Sequence, residues 1–449
     1  MDKTLYRFNS SQDVINLQTK FTLFKRVVNI VFSTTVEKGF DEGIMTRAIN
    51  KVIERNDCLR ITFVKKGGET LQYFADHREI GKIKSYVLDT PEKFDSFVKK
   101  FRRKPTDCYK GDVLRVAFAV NPQGKQVIFF KISHFVADDF AIGVIVSDLF
   151  GVYDAMVGGK EMPAMPSRFE DVLKKDNDFL DNEEAKERDR QFFQEYFTKK
   201  HPETPQFCPI QGNNSGLWLK NKRKGKYAMP FLFIDCDTEG YKFDIPVAIV
   251  NKALEWSEKT QIPPATFFYY AFSLTVSLLN DRYRYILPLM LLNSRATSTE
   301  RHCGGTKVQS IALYTEIDYS KSFNENVAAT FEDQNELYRH TKLTYLETND
   351  LQHKFWKHSL VSQLNPFCFS FIPSVSPEGV ELMLHSNGKG ALATYVAIMM
   401  DINTHAMTIV YDQQTEMGTP QDLVEFNNRL VGVIEKVLDN PEEILEKIF

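Results

Sequence analysis

The chain has 449 residues, 43% of them hydrophobic and 26% charged, with a formal net charge of −3. That length allows two or three compact units, or one large fold of two lobes, and the composition is that of an ordinary globular protein. The slightly acidic balance argues against general nucleic-acid binding, which favours basic patches.

Six cysteines (Cys58, Cys108, Cys208, Cys236, Cys303 and Cys368) stand singly, with no CxxC spacing and no Cys/His cluster. Neither a disulfide framework nor a metal site is therefore expected. The first residues, Met-Asp-Lys-Thr-Leu-Tyr, lack the basic-then-apolar run of a signal peptide. The longest mostly apolar run, residues 267–279, is shorter than the roughly 20 residues a membrane span needs. The expectation is a cytoplasmic protein with no membrane span.

In chain order, residues 41–55 read as a helix with Ile44, Ala48, Val52 and Ile53 on one face. Residues 59–64 read as a strand, and Lys65-Lys66-Gly67-Gly68 as a hairpin turn into a strand over 69–74. A short helix at 91–102 and a strand at 113–120 follow. The turn Asn121-Pro122-Gln123-Gly124 leads into an apolar strand that ends at His134. Residues 141–156 have helical spacing and stop at Gly158-Gly159. Residues 178–200 read as one charged helix, and the basic run at 220–226 falls in the loop beyond it. That run is either a solvated loop or a place for the phosphates of coenzyme A or a phosphopantetheine arm.

The second half repeats the alternating habit. Helices are expected at 246–260, with its proline in the first turn, and at 263–279. A strand is expected at 285–292, with others near 309–316, 366–372, 380–386, 393–401 and 406–411, before a last helix at 420–438. No short-period repeat is present, which argues against a solenoid or propeller. The expected division is a first lobe at 1–175, a helical linker and basic loop at 176–226, and a second lobe at 227–449.

The chemistry concentrates at His134-Phe135-Val136-Ala137-Asp138, the one HxxxD in the chain. An imidazole at the end of a strand, with a carboxylate four residues on, suits a general base for acyl transfer. Histidine titrates near neutrality, so it can take a proton from a hydroxyl or amine and return it. A histidine at a strand end is also commonly structural. Ser370, between two phenylalanines on a late strand, is either an oxyanion donor or a satisfied core hydroxyl. Gly212-Asn213-Asn214-Ser215-Gly216 does not satisfy the GxSxG nucleophile elbow.

Taken in order, several segments resemble the condensation-domain and chloramphenicol-acetyltransferase-like superfamily of thioester-dependent acyltransferases. Cys58-Leu59-Arg60-Ile61-Thr62-Phe63 is similar to its early LR-x-x-F strand, and Ser133-His134-Phe135-Val136-Ala137-Asp138-Asp139 stands where it carries HHxxxDG. Asn293-Ser294-Arg295 and Cys303-Gly304-Gly305-Thr306 resemble its N-x-R…G segment. Phe369-Ser370-Phe371 and Thr408-Ile409-Val410-Tyr411-Asp412 resemble late strands. A DFGWG-like segment of the plant branch is absent, which points to the condensation-like side.

The resemblance implies an α/β (α+β layered) fold of two chloramphenicol-acetyltransferase-like lobes, forming a pseudo-dimer with a central tunnel. It implies that His134 activates an amine or alcohol as it meets the thioester carbonyl, and that Asp138 and Arg295 pair to support the active-site loop. It further implies no permanently bound cofactor, acyl-coenzyme A or acyl-phosphopantetheine as the donor substrate, and an acyl or peptidyl carrier protein as partner beside a small-molecule acceptor; a monomer is expected. Two positions depart from the motif. Ser133 replaces its first His, and Asp139 replaces its Gly, adding bulk and negative charge beside the reacting carbonyl. Ser133, Asp139 and Ser370 are thus the further candidates for substrate or oxyanion contact. The alternative is a catalytically silent condensation-like module that binds a carrier protein or partner enzyme.

Overall fold

The computed structural model describes residues 3–21, 25–104, 106–200, 206–212, 236–358, 367–375, 377–390 and 393–449. The basic run at 220–226 lies outside these residues. The chain divides into two compact units, and the division is not a single cut. The first comprises Met1–Glu183 together with Asn293–Val308 and Ser374–Lys389; the second comprises Glu184–Leu292, Gln309–Pro373 and Gly390–Phe449. Two segments from the second half of the sequence therefore belong to the first unit.

The first unit is built on a five-stranded sheet in the order Val380–His385, Asn29–Val36, Gln126–Ser133, Leu114–Val120, Ser85–Val87. Its pairings are antiparallel except for the edge strand Ser85–Val87. Side chains alternate across a strand, and here both faces are covered. Ile128, Phe130 and Ile132 join the core with Phe32, Ile49, Val52, Ile142 and Leu149. Val127 and Phe129 point the other way, where Phe94, Phe97 and Phe101 of helix Pro91–Arg103 pack on them. A strand buried on both faces needs no polar alternation, which is why Gln126–Ser133 reads as a continuous apolar run.

Helices Glu42–Arg55 and Asp139–Val157 pack against the core face. Asp41 caps the first by accepting from Ile44 N, and Met45 and Ile49 join Ala48, Val52 and Ile53 in the buried set, while Ile44 is only partly buried. The second ends at Gly158 with φ of +101°, a left-handed conformation that glycine adopts without a Cβ penalty. Arg55 Nε donates to both carboxylate oxygens of Asp148 (3.0 and 3.1 Å), locking the two helices together. Asp139–Val157 is long and apolar enough, by length and composition, to cross a membrane. It is a longer candidate than the 267–279 run, but Ala141, Ile142, Ile145, Val146 and Leu149 are spent on the core.

In the second unit a sheet runs Gln309–Ala312, Leu289–Leu292, Phe367–Ser374, Thr394–Asp401, Met407–Gln414, Cys236–Ile245. Pro264–Leu279 is buried all round, from Thr266 to Ser277. Several sequence expectations are corrected. Residues 178–200 are not one helix: Phe169–Leu180 ends at Asp181, and Glu183–Lys200 starts afresh. Pro246 is the residue preceding helix Val247–Thr260 rather than part of its first turn. The strand at 285–292 is two pieces, Tyr285–Ile286 and Leu289–Leu292, which belong to different sheets. Pro288 stands between them and has no N–H for a ladder; its carbonyl instead accepts from Leu313 N at 3.2 Å. The strand at 309–316 breaks in register with it, into Gln309–Ala312 and Thr315–Glu316.

Candidate functional site

The strand Gln126–Ser133 delivers His134 into a tight turn before helix Asp139–Val157. Val136 N donates to Ser133 O (3.0 Å), closing the turn, and Ser133 Oγ accepts from Phe135 N (3.4 Å). The buried Ser133 hydroxyl is thus engaged inside the turn. The backbone is held from outside as well. His134 N donates to Val28 O (2.8 Å), Ser133 N to Val113 O (2.8 Å), and Gln12 Nε2 to Phe135 O (2.9 Å). Phe135, Val136 and Ala137 are fully buried, which anchors the turn to the core.

The His134 ring has a different environment from its backbone. The residue is partly exposed, but Nδ1 is buried without a hydrogen-bond partner, and among the described residues the ring makes no hydrogen bond. A histidine retained for structure usually satisfies its ring nitrogens.

Asp138 is the hub of the turn. It caps helix Asp139–Val157, accepting from Ala141 N at 2.9 Å. Its other oxygen accepts from Arg295 Nη1 (2.8 Å) and from Lys307 N (2.7 Å). The Asp138–Arg295 pair is buried, with side chains 4% and 0% exposed. Arg295 also donates from Nη2 to Gly305 O (2.8 Å) and from Nη1 to Asn293 O (3.1 Å), and its guanidinium lies 4.9 Å from the Phe140 ring centre. The arginine arrives on a constrained backbone. Ser294 has φ of +45°, and Asn293 Oδ1 accepts from Arg295 N at 3.2 Å. Left-handed conformations at residues other than glycine cluster where geometry is functional.

The segment that follows Arg295 docks against the turn. Ala137 and Gly305 form a parallel bridge, and Asn9 Nδ2 donates to Thr306 O (2.9 Å). Gly305 has φ of +87°, and a Cβ there would lie 2.2 Å from the Phe169 ring; one on Gly304 would lie 2.3 Å from Cys58 Sγ. Gly305→Ala is accordingly expected to lower stability by about 1–3 kcal/mol through overpacking alone, with left-handed strain added. Thermal unfolding checks this, and a Gly305→Ala protein melting with the parent would refute the close fit.

Lys307, not anticipated from the sequence, ties this segment down. Its Nζ reaches Asp176 (2.8 Å) and Glu300 (3.2 Å), and its side chain is 8% exposed. Asp57, also unanticipated, accepts from Phe169 N (2.8 Å) and Glu170 N (3.0 Å), and burial pushes its carboxyl above the ordinary aspartate range. The only sequence signal for Lys307 is a lone lysine directly after Gly304-Gly305-Thr306. Asp139 is the first residue of its helix, partly exposed, where the helix dipole favours a carboxylate. Ser370 lies buried on Phe367–Ser374, in the second unit's sheet.

The family model described as the condensation domain matches residues 3–448. The chain belongs to the condensation-domain family. Condensation domains as a family carry out acyl transfer. The chain is 20% identical over 463 aligned residues to surfactin synthase subunit 1 of Bacillus subtilis (strain 168), covering 100% of this chain and 12% of that protein. It is 24% identical over 228 residues to bacitracin synthase 3 of Bacillus licheniformis, covering 48% of this chain and 3% of that one. The chain therefore spans a small fraction of the length of these relatives.

Among solved structures, the condensation domain from Monacolin K polyketide synthase MokA superposes with a TM-score of 0.80 at 13% identity, over 98% of this chain and 99% of that one. A mutant of the starter condensation domain of rhizomide synthetase RzmA, in complex with C8-CoA, gives 0.82 at 14% identity, over 99% and 98%. The fold is that of condensation domains, the two-lobed chloramphenicol-acetyltransferase-like fold expected from the sequence.

Proposed function

We propose that this condensation domain is an acyltransferase that moves an acyl group from a coenzyme A or carrier-protein thioester to an amine or alcohol, forming an amide or ester. The observation that carries the reading is the His134 ring. His134 is partly exposed as a residue on a turn held by its backbone, and its ring makes no hydrogen bond among the described residues. In this reading Nε2 takes the proton from the acceptor N–H or O–H as that atom attacks the thioester carbonyl. The tetrahedral intermediate then collapses, the carbon–sulfur bond breaks, and the thiolate leaves with a proton returned by the imidazolium. No covalent acyl-enzyme forms. Asp138 and Arg295 act by holding the turn, not by touching substrate. Ser133 is occupied within the turn, and Asp139 stands at the helix start, where its charge selects a cationic acceptor. Ser370 is assigned an oxyanion contact only as the weaker of its two readings, beside a core hydroxyl role.

A thioester donor agrees with the C8-CoA bound by the RzmA starter domain, and the synthases among the relatives support a carrier-protein partner. The second reading, a silent module that binds a carrier protein, is favoured by Asp139 in the position of the motif glycine.

A thiol-release screen decides between them. Purified protein is incubated with a panel of acyl-coenzyme A and acyl-carrier thioesters and pooled amines and alcohols. Acceptor-dependent thiol release, with the product seen by mass spectrometry, is expected. No release from any donor, with measurable carrier-protein binding, would establish the silent module.

A further inference from the structure

Three residues before His134, the same strand carries Lys131, which is 1% exposed. Strand alternation places Lys131 and Ser133 on the face of Phe129, the one covered by helix Pro91–Arg103 and opposite helices Glu42–Arg55 and Asp139–Val157. Its only hydrogen bond among the described residues runs from Nζ to Lys104 O, the C-terminal end of helix Pro91–Arg103, at 2.6 Å. The ammonium also lies 5.1 Å from the Phe101 ring centre. An ammonium has three N–H donors, so two have no acceptor among the described residues. Directly opposite on the neighbouring strand is Arg115. Its Nε donates to Asp112 Oδ1 (3.0 Å) and its Nη2 to Asp112 Oδ2, while Nη1 is buried with no partner. On the other neighbouring strand Asn29 pairs with Ser133, diagonal to Lys131. Its Oδ1 accepts from Thr106 Oγ1 (2.6 Å), and its Nδ2 is buried with no partner.

Adjacent strands thus carry three donor groups, two of them cationic, on one face of the sheet, each with N–H groups that no acceptor among the described residues takes. Burying a cation is costly, and the cost shows in the ammonium, pushed down to about 8 by burial and by Arg115 beside it, with Asp112 as the opposing carboxylate. A helix-capping lysine explains the bond to Lys104 O but explains neither the free edge of Arg115 nor that of Asn29. The Arg115 and Asp112 side chains are about a quarter exposed (26% and 28%), although Nη1 itself is buried.

We infer that Lys131, Arg115 and Asn29 form an oxyanion site that takes a carboxylate carried by the acyl donor or by the acceptor. The inference rests on the acyltransferase reading for its role, though not for its test. Carboxylate matches the set, because one oxygen can accept from the guanidinium edge while the other accepts from the ammonium. Length matches too. Three residues of strand span about 10 Å, which suits a carboxylate at the far end of a short acyl chain or acceptor better than the phosphate at the far end of a pantetheine arm.

Isothermal titration calorimetry of the whole protein with glutarate, and separately with inorganic phosphate, tests the site without any turnover. The parent is expected to bind glutarate at one site. Lys131→Met and Arg115→Gln, each confirmed as folded by thermal melting, are expected to weaken that binding tenfold or more. The inference is overturned if glutarate fails to bind the parent, if it binds both variants as it binds the parent, or if phosphate alone binds. Because binding is read directly, glutarate binding with no thiol release would sink the acyltransferase reading and leave the site standing.

Discussion

Replacing His134 with alanine is expected to lower acyl-transfer turnover by about 10²–10⁴-fold, the range for a lost general base, while the melting temperature stays near the parent's. Both halves follow from how the residue is held. The turn is fixed through backbone groups, His134 N on Val28 O, Ser133 N on Val113 O and Phe135 O under Gln12, and none of these is lost with the imidazole. The ring itself makes no hydrogen bond among the described residues and leaves Nδ1 buried and unpartnered, so its removal frees a dissatisfied group. A residue that costs activity but not stability is serving chemistry. The measurement pairs initial rates of thiol release with thermal unfolding for parent and variant. Equal turnover in a folded His134→Ala protein would falsify the general-base role, and a large drop in melting temperature would reassign His134 to structure.

What could be read from the sequence divides along a physical line. The helix at 41–55, the hairpin at 65–68, the strand ending at His134 and the glycine stop after residue 157 were legible because capping, turn chemistry and periodicity act locally. Where the structure departs from expectation, the deciding interaction is non-local or turns on one residue. Pro288 splits a run of β-prone residues between two sheets, and Asp181 ends a helix whose charged composition reads as continuous. Strands Asn29–Val36 and Cys236–Ile245, and helices Phe323–Tyr338 and Tyr345–Phe355, were not anticipated at all. In the first of these, polar Asn29, Ser33 and Thr34 interrupt the apolar pattern although all three are buried. The candidate site shows the same division. His134 and Asp138 lie within one motif, and Arg295 was tied to them only through family resemblance. Lys307, Asp57, Gln12 and Asn9 contribute mainly to backbone support, and no spacing rule marks them.

The pairing of Asp138 with Arg295 yields the largest expected effect on stability. With side chains 4% and 0% exposed, neither charge can turn to water when its partner is removed. Arg295→Met leaves the Asp138 carboxylate with only Ala141 N and Lys307 N, and also removes the donors to Gly305 O and Asn293 O. Breaking a buried pair from one side costs about 3–5 kcal/mol, and denaturant unfolding should show a loss of that order. Asp138→Asn keeps an oxygen for the helix cap but strands the guanidinium, so it should also destabilise, by the same mechanism with the sign of the stranded charge reversed. The double variant discriminates between a true pair and two separate contributions. If the residues act as a pair, the combined loss falls well short of the sum of the single losses, since the second substitution removes a charge already left without its partner. Activity should fall in both single variants through the turn they support. If the single variants unfold with the parent, or if their losses simply add, the pair does not hold the His134 turn and the Asp138 hub needs another explanation.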